Sequence, residues 1–235
     1  MPVLRNIQEA LRAQATPERK KSNERYFKTG PGQYGAGDIF LGVTVPATRL
    51  IAKEFKDIAL DDCSKLLLSP IHEERLCALH ILVARYQRSK DPQERKRLYD
   101  FYLQHVAGIN NWDLVDTSAP YIVGAYCYEV NSFDLLYAWI VDRSIWKRRI
   151  ALLATQYGIR HGNFTHIVHL VEQVLNDHED LIHKAAGWML REVGKRDQDC
   201  LETFLKKYYK KMPRTMLRYA VEKFDEPKRR MYIYS

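Results

Sequence analysis

No apolar run in this 235-residue chain approaches the roughly 18 residues that a membrane-spanning helix needs. Leu4 to Ala15 is amphipathic and does not read as a secretory h-region. Cysteine is scarce: Cys63, Cys77, Cys127 and Cys200 stand apart with no CxxC spacing. That predicts reduced thiols in a cytoplasmic protein and argues against a zinc knuckle. No stretch alternates convincingly with period two, so strands are not expected. The one glycine-rich stretch has no strand before it and no GK[ST] after it, which argues against a nucleotide P-loop. His161, His166 and His169 have no acidic or cysteine partner nearby and straddle a loop and a helix start. They read as surface and capping histidines; neither a metal nor a cofactor is expected.

What is present is enough for one large domain or two small ones. A hydrophobic content of 46% supports a real core, and 28% charged residues suit a water-facing surface. The net charge of +8 is unevenly placed. Residues 1–60 carry 10 basic and 6 acidic side chains, residues 61–145 carry 9 and 12, and residues 146–235 carry 18 and 11. Basic ends around an acidic middle suggest a concave site for a polyanion, nucleic acid first. An acidic protein partner would suit the same charge, and so would a plain solvated surface.

Taken in order, residues 4–15 predict an amphipathic helix, and a second runs from Pro17 to about Phe27. Thr29 to Asp38 holds four glycines and a proline in ten residues and must be a loop. Phe40 to Pro46 leads into a helix with Leu50, Ile51 and Phe55 inward and Arg49, Lys53 and Lys56 outward. Helix pairs then recur: Asp61–Leu68 with Glu73–Tyr86, Phe133–Ile140 with Ile145–Tyr157, Phe164–Leu175 with Leu181–Val193, and Leu201–Tyr209 with Arg214–Phe224. Each second helix carries a small residue on its apolar face: Ala78, Ala151, Ala186 and Ala220. Ala119 adds a fifth, at spacings of 41, 32, 35 and 34 residues. That period belongs to a helical-repeat solenoid. The expectation is an all-α, HEAT-like fold in one curved domain. Residues 1–60 would form capping helices and the glycine-rich loop, 61–225 the stacked repeats, and 226–235 a basic tail that frays.

Basic residues flank the aligned alanines: Arg75, Arg148, Arg149, Lys184, Arg191, Arg218 and Lys223. On second helices lining a concave face they would form a continuous stripe able to neutralise phosphates without reading sequence. Trp139 and Trp146 read as packing residues, and Tyr102, Tyr126, Tyr128 and Tyr137 as core or half-buried aromatics.

The stretch from Asn110 to Tyr121 stands out. Asn110 or Asn111 is a good N-cap, Asp113 sits in the first turn, and Leu114 and Val115 begin an apolar stripe. Trp112 and Asp116 then share one helix face, one turn apart. Taken alone, the pair reads more readily as a half-buried tryptophan beside a surface carboxylate than as a site.

Several segments together resemble one family. They are Arg25-Tyr-Phe-Lys-Thr-Gly-Pro-Gly-Gln-Tyr-Gly-Ala-Gly-Asp-Ile-Phe-Leu-Gly-Val, Asn111-Trp-Asp-Leu-Val-Asp, Trp146-Lys-Arg-Arg, Ala186-Gly-Trp-Met-Leu-Arg-Glu-Val-Gly-Lys and Pro213-Arg-Thr-Met-Leu-Arg-Tyr-Ala. In this order, over essentially the whole chain, they resemble the DNA alkylation repair enzymes of the AlkD-like alkylpurine DNA glycosylase type. The resemblance implies a HEAT-like solenoid around duplex DNA and removal of cationic alkylpurines such as 7-methylguanine and 3-methyladenine, without base flipping. By position, Trp112 and Asp116 match the family's catalytic tryptophan and aspartate, and Trp188 its second tryptophan. Arg149 matches an arginine facing the DNA, with Arg148 beside it as the alternative. Tyr26 matches an aromatic near the lesion strand. Arg49 and Arg191 match backbone-contacting positions, and Lys184 joins them on the basic face. Tyr157 departs from the pattern, since a lysine can occur there in the family. Some relatives lack the aspartate and would only bind DNA; here Asp116 is present. A monomer acting on alkylated duplex DNA is therefore expected, and a non-catalytic solenoid binding DNA or an acidic protein is the alternative.

Overall fold

The computed structural model describes residues 2–234, which are helical nearly throughout. Helices α1 (Pro2–Ala13), α2 (Pro17–Tyr26), α3 (Val45–Glu54), α4 (Leu60–Leu67), α5 (His72–Arg88), α6 (Pro92–Gln104) and α7 (Trp112–Ser118) belong to a first compact unit, Met1–Ser118. A second unit, Ala119–Ser235, holds α8 (Ala125–Glu129), α9 (Asp134–Trp139), α10 (Ile145–Arg160), α11 (Thr165–Gln173), α12 (Asp180–Gly194), α13 (Gln198–Tyr208), α14 (Arg214–Ala220) and α15 (Glu226–Tyr234). No β-strand forms among the described residues. A lone parallel bridge joins Ile39 to Ile71.

Local chemistry sets many boundaries. Thr44 caps α3, its side chain accepting from the Ala47 N–H at 3.1 Å, with Pro46 in the first turn. Asp91 does the same for α6 and Asp197 for α13. Pro120 has no N–H to donate, and residues Pro120–Gly124 form a π-helical turn.

In each unit a nearly all-buried helix forms the centre. In the first it is α5, packed by α3, α4 and α7; in the second, α10 packs against α12, and α12 against α14. The second helices of successive pairs are thus neighbours, the arrangement of a helical repeat. Ala78, Ala119, Ala151, Ala186 and Ala220 are all buried, as the spacing argument requires.

Three expectations need correcting. Residues 92–104, left unassigned by the repeat pattern, form α6. The C-terminal segment does not fray: α15 buries Tyr232 near the Tyr209 and Phe224 rings, and Lys228 pairs with Glu202 at 2.5 Å. Leu50 points outward and is 69% exposed, because α3 turns Thr48, Ile51 and Ala52 to the core instead.

The α12–α14 contact depends on one glycine. A Cβ on Gly187 would lie 2.4 Å from the Met216 carbonyl oxygen and 2.6 Å from Tyr219 Cβ. Gly187→Ala should therefore force the two helices apart. The expected cost is about 1–3 kcal/mol of stability, read as a lower thermal midpoint. An unchanged midpoint would mean that this packing is looser than described.

Candidate active site in the first unit

Trp112 and Asp116 are both half-buried and open onto one cleft of about 430 Å³. Helix α2 lines it with Arg19, Asn23 and Tyr26, and α7 also contributes Thr117. Tyr26 is 65% exposed and meets the Trp112 indole edge-on at 5.7 Å between centroids. Behind them runs an aromatic column. Trp112 stacks on Phe27 at 5.2 Å, Phe27 on Phe40 at 4.9 Å, and Phe40 on the His72 ring at 4.4 Å. Offset stacks of this kind orient the indole as well as bury it.

A seven-residue helix has too few internal bonds to hold itself. Tertiary contacts fix α7. The Asn111 amide donates to Asp38 Oδ2 at 2.9 Å while its carbonyl oxygen accepts from the Trp112 N–H at 2.8 Å. Asp113 accepts from the Leu114 N–H at 2.8 Å, and its Oδ2 lies 2.8 Å from His72 Nε2. His72 Nδ1 reaches Asp38 Oδ2 at 3.2 Å, and the Arg75 guanidinium reaches Asp38 Oδ1 at 2.6 Å.

The helix α5 start, His72-Glu73-Glu74-Arg75, is buried along its whole length, each residue being 3% exposed or less. Each member anchors a different segment. His72 holds α7, and Glu73 accepts from the Leu41, Gly42 and Val43 N–H groups. Glu74 accepts from Gln8 of α1, and Arg75 holds Asp38 and the Ser69 carbonyl. This explains the glycine-rich stretch: it is the loop that delivers Asp38 to a buried ionic cluster. Gly35 is required because a Cβ there would sit 2.3 Å from the Phe27 carbonyl oxygen.

Two cations, His72 and Arg75, face two carboxylates, Asp38 and Asp113. Burial opposes a charge on His72, but the Asp113 charge and the hydrogen bonds to Asp113 and Asp38 outweigh it and push the His72 pKa up to about 9. Burial likewise opposes the charge on Asp38. Hydrogen bonds from His72 and Asn111, with the Arg75 charge, more than compensate and hold that carboxyl below its ordinary value.

Apart from Arg49, the remaining site residues lie in the second unit. Trp188, half-buried on α12, hydrogen-bonds to Glu192 one turn on. The stripe of free cations is not found. Arg75 is buried against Asp38, and Arg149, 4% exposed, donates to the Leu181 carbonyl at 2.6 Å. Arg148 pairs with Asp177 at 2.8 Å and Lys184 with Asp180 at 2.8 Å; Arg191 pairs with Glu222. Arg49 is exposed on α3 and does not line the cleft. His166 stacks on Phe133 and bonds Tyr137, while His161 bonds the Tyr157 carbonyl.

The sequence reading placed Trp112, Asp116 and Tyr26 but not Asp38, His72 and Asp113, the set that orients them. The available signal was the run of four polar residues opening an otherwise apolar helix.

Stacked helix pairs in both units define an α-helical repeat protein. Residues 7–224 match the DNA alkylation repair enzyme family, and the chain belongs to it. A predicted DNA alkylation repair enzyme from Enterococcus faecalis superposes with a TM-score of 0.70 at 17% identity, over 91% of this chain and 98% of that one. A crystal structure from Streptococcus mutans UA159 superposes at 0.54 and 14% identity, over 95% and 100%. At such identities the likeness is one of fold. No curated protein matches the sequence significantly. No described helix is long and apolar enough to cross a membrane.

The ionic cluster gives a pH signature. A raised His72 pKa contributes stability that is complete below about 6.5, its unfolded value, and is lost as pH rises through about 9. Asp38, depressed, contributes above its ordinary value and loses that contribution in acid. His72→Gln should cost about 3–5 kcal/mol near pH 6, because it leaves the buried Asp113 carboxylate without its cation. Denaturant melts of both proteins from pH 6 to 10 should show this gap narrowing through pH 9; a constant gap would rule out a charged His72.

Proposed function

We propose that this protein is a DNA glycosylase that hydrolyses the N-glycosidic bond of positively charged alkylated purines in duplex DNA. The observation that carries this reading is Trp112 and Asp116 on one face of α7, opening with Tyr26 onto a single cleft. Family membership places the chain in DNA alkylation repair.

The chemistry fits the residues. An N3- or N7-alkylated purine already carries a positive charge, so the electrons of the breaking C1′–N bond neutralise the ring and the base leaves without a general acid. Charge develops on the deoxyribose as an oxocarbenium ion. The Asp116 carboxylate stabilises that cation and orients the water that adds to C1′, accepting its proton; an abasic site remains. The Trp112 indole face stabilises the sugar cation, a contact worth roughly 0.5–2 kcal/mol. Trp188 is assigned a supporting indole contact to the DNA. Selectivity then follows from the lability of the cationic base, so the base need not be extruded into a closed pocket. A neutral lesion released as fast as a cationic one would contradict this.

Release of 7-methylguanine from alkylated duplex DNA tests the reading. Asp116→Asn should slow single-turnover release by about 10²–10³-fold while the duplex Kd changes little. If neither protein releases the base but both bind DNA with strong salt dependence, the chain is a non-catalytic DNA-binding repeat protein.

A further inference from the structure

The cations that flank the aligned alanines are largely neutralised inside the molecule. Arg75, Arg148, Arg191, Lys184 and Lys223 each face a carboxylate. A different set is largely left without such partners. From Thr203 through Val221 the chain carries Lys206, Lys207, Lys210, Lys211, Arg214 and Arg218 with no aspartate or glutamate. Lys207 lies 3.6 Å from Glu172 and the Lys206 charge acts on Glu202, but Lys206, Lys210, Lys211 and Arg218 are exposed, and among the described residues none of the four has an ion pair within 4 Å.

The helix dipoles account for only part of this set. Lys206 and Lys207 fall in the last turn of α13, where the helix dipole favours cations. Lys210 and Lys211 lie beyond that helix end. Arg214 opens α14, where the dipole disfavours a cation, and Arg218 falls in the last turn of the same short helix, where the dipole favours one; the two like charges at i,i+4 repel. Arg214 offsets part of this by donating to the Ile233 carbonyl; Arg218 has no such partner. Exposed cations this closely spaced leave a positive surface potential that attracts a polyanion.

We propose that the Lys206–Arg218 face is a phosphate-binding surface that grips the backbone of duplex DNA independently of any lesion. The proposal rests on the reading of the chain as DNA-acting. Two tyrosines sit within the cations. The Lys207 ammonium lies 4.7 Å from the Tyr208 ring centre and the Lys210 ammonium 5.7 Å from that of Tyr209. Nucleic-acid interfaces combine such basic and aromatic side chains. The same stretch exposes no large hydrophobic residue. It therefore lacks the apolar anchor that a protein interface centres on and the apolar face that a membrane surface needs.

The test is binding of undamaged duplex as a function of salt. It compares the native chain with a variant carrying Lys206→Gln, Lys210→Gln, Lys211→Gln and Arg218→Gln. A control with the same loss of charge carries Arg88→Gln, Lys90→Gln, Lys96→Gln and Arg97→Gln. The expected result is a Kd raised at least tenfold near 0.15 M salt, and a slope of log K against log salt reduced by about 3, close to 0.9 per lost phosphate contact. The control should stay near native on both measures. Equal losses in variant and control would reduce the effect to net charge and overturn the proposal, as would no change in either. Weakened binding of polyglutamate with DNA binding intact would overturn it in favour of an acidic protein. Base release at saturating protein should be unchanged in the variant. If no chain releases 7-methylguanine while the binding shift persists, the glycosylase reading fails and this surface stands.

Discussion

The first unit depends on a buried, charge-balanced cluster: Asp38 and Asp113 against His72 and Arg75, with Asn111 completing the hydrogen bonds. Removing four charges from water is costly, and the attraction between them offsets that cost only when every partner is in place. Such a cluster is weak evidence of net stability and strong evidence of a specified geometry. It joins three segments far apart in sequence: the glycine-rich loop, the start of α5 and the start of α7. None could shift independently without stranding a charge.

That constraint reaches the cleft through α7. A seven-residue helix would be marginal alone, yet Asp113 and Asn111 fix its first turn while Trp112 is clamped by the column Phe27, Phe40 and His72. Asp116 lies one turn further along the same rigid backbone. The side chains that would act on a substrate are therefore oriented by buried neighbours, of which Phe27, His72 and Asp113 also line the cleft, as a site relying on fixed electrostatics requires. His72 takes part twice, as an ion-pair partner and as the last ring of the stack, so its orientation is determined from both sides.

Much of this was legible in the sequence because it rests on local rules. Helical periodicity gave most of the helices, small residues marked the close-packed faces, and the glycine-rich stretch had to be a loop. Trp112, Asp116 and Tyr26 emerged from spacing and resemblance. Ranges failed where the rule was not local. Helix α6 carries little apolar periodicity, with only Leu98, Phe101 and Tyr102 buried, and α15 is held by packing of Tyr232 and by the pair from Lys228 to Glu202. Leu50 was placed inward on hydrophobicity alone, although Thr48, Ile51 and Ala52 supply the buried face of α3. The ionic cluster was invisible because its bonded partners lie 34 to 73 positions apart.

Charge was the least transferable signal. The basic excess of residues 146–235 is real, but a formal count does not distinguish a cation satisfied by a neighbour from one left to solvent. Arg148 and Arg149 sit side by side in sequence, yet one meets Asp177 and the other is buried on a backbone carbonyl. A buried guanidinium with its bonds made orders the repeat; an exposed one without a partner raises the local potential and attracts polyanions. Position in a repeat predicts which face a residue occupies, and only the surrounding acids decide which of those two roles it has. On that criterion the field available to a polyanion in this unit is set mainly by the cations between Thr203 and Val221, a stretch that contains no acid and draws on few from elsewhere.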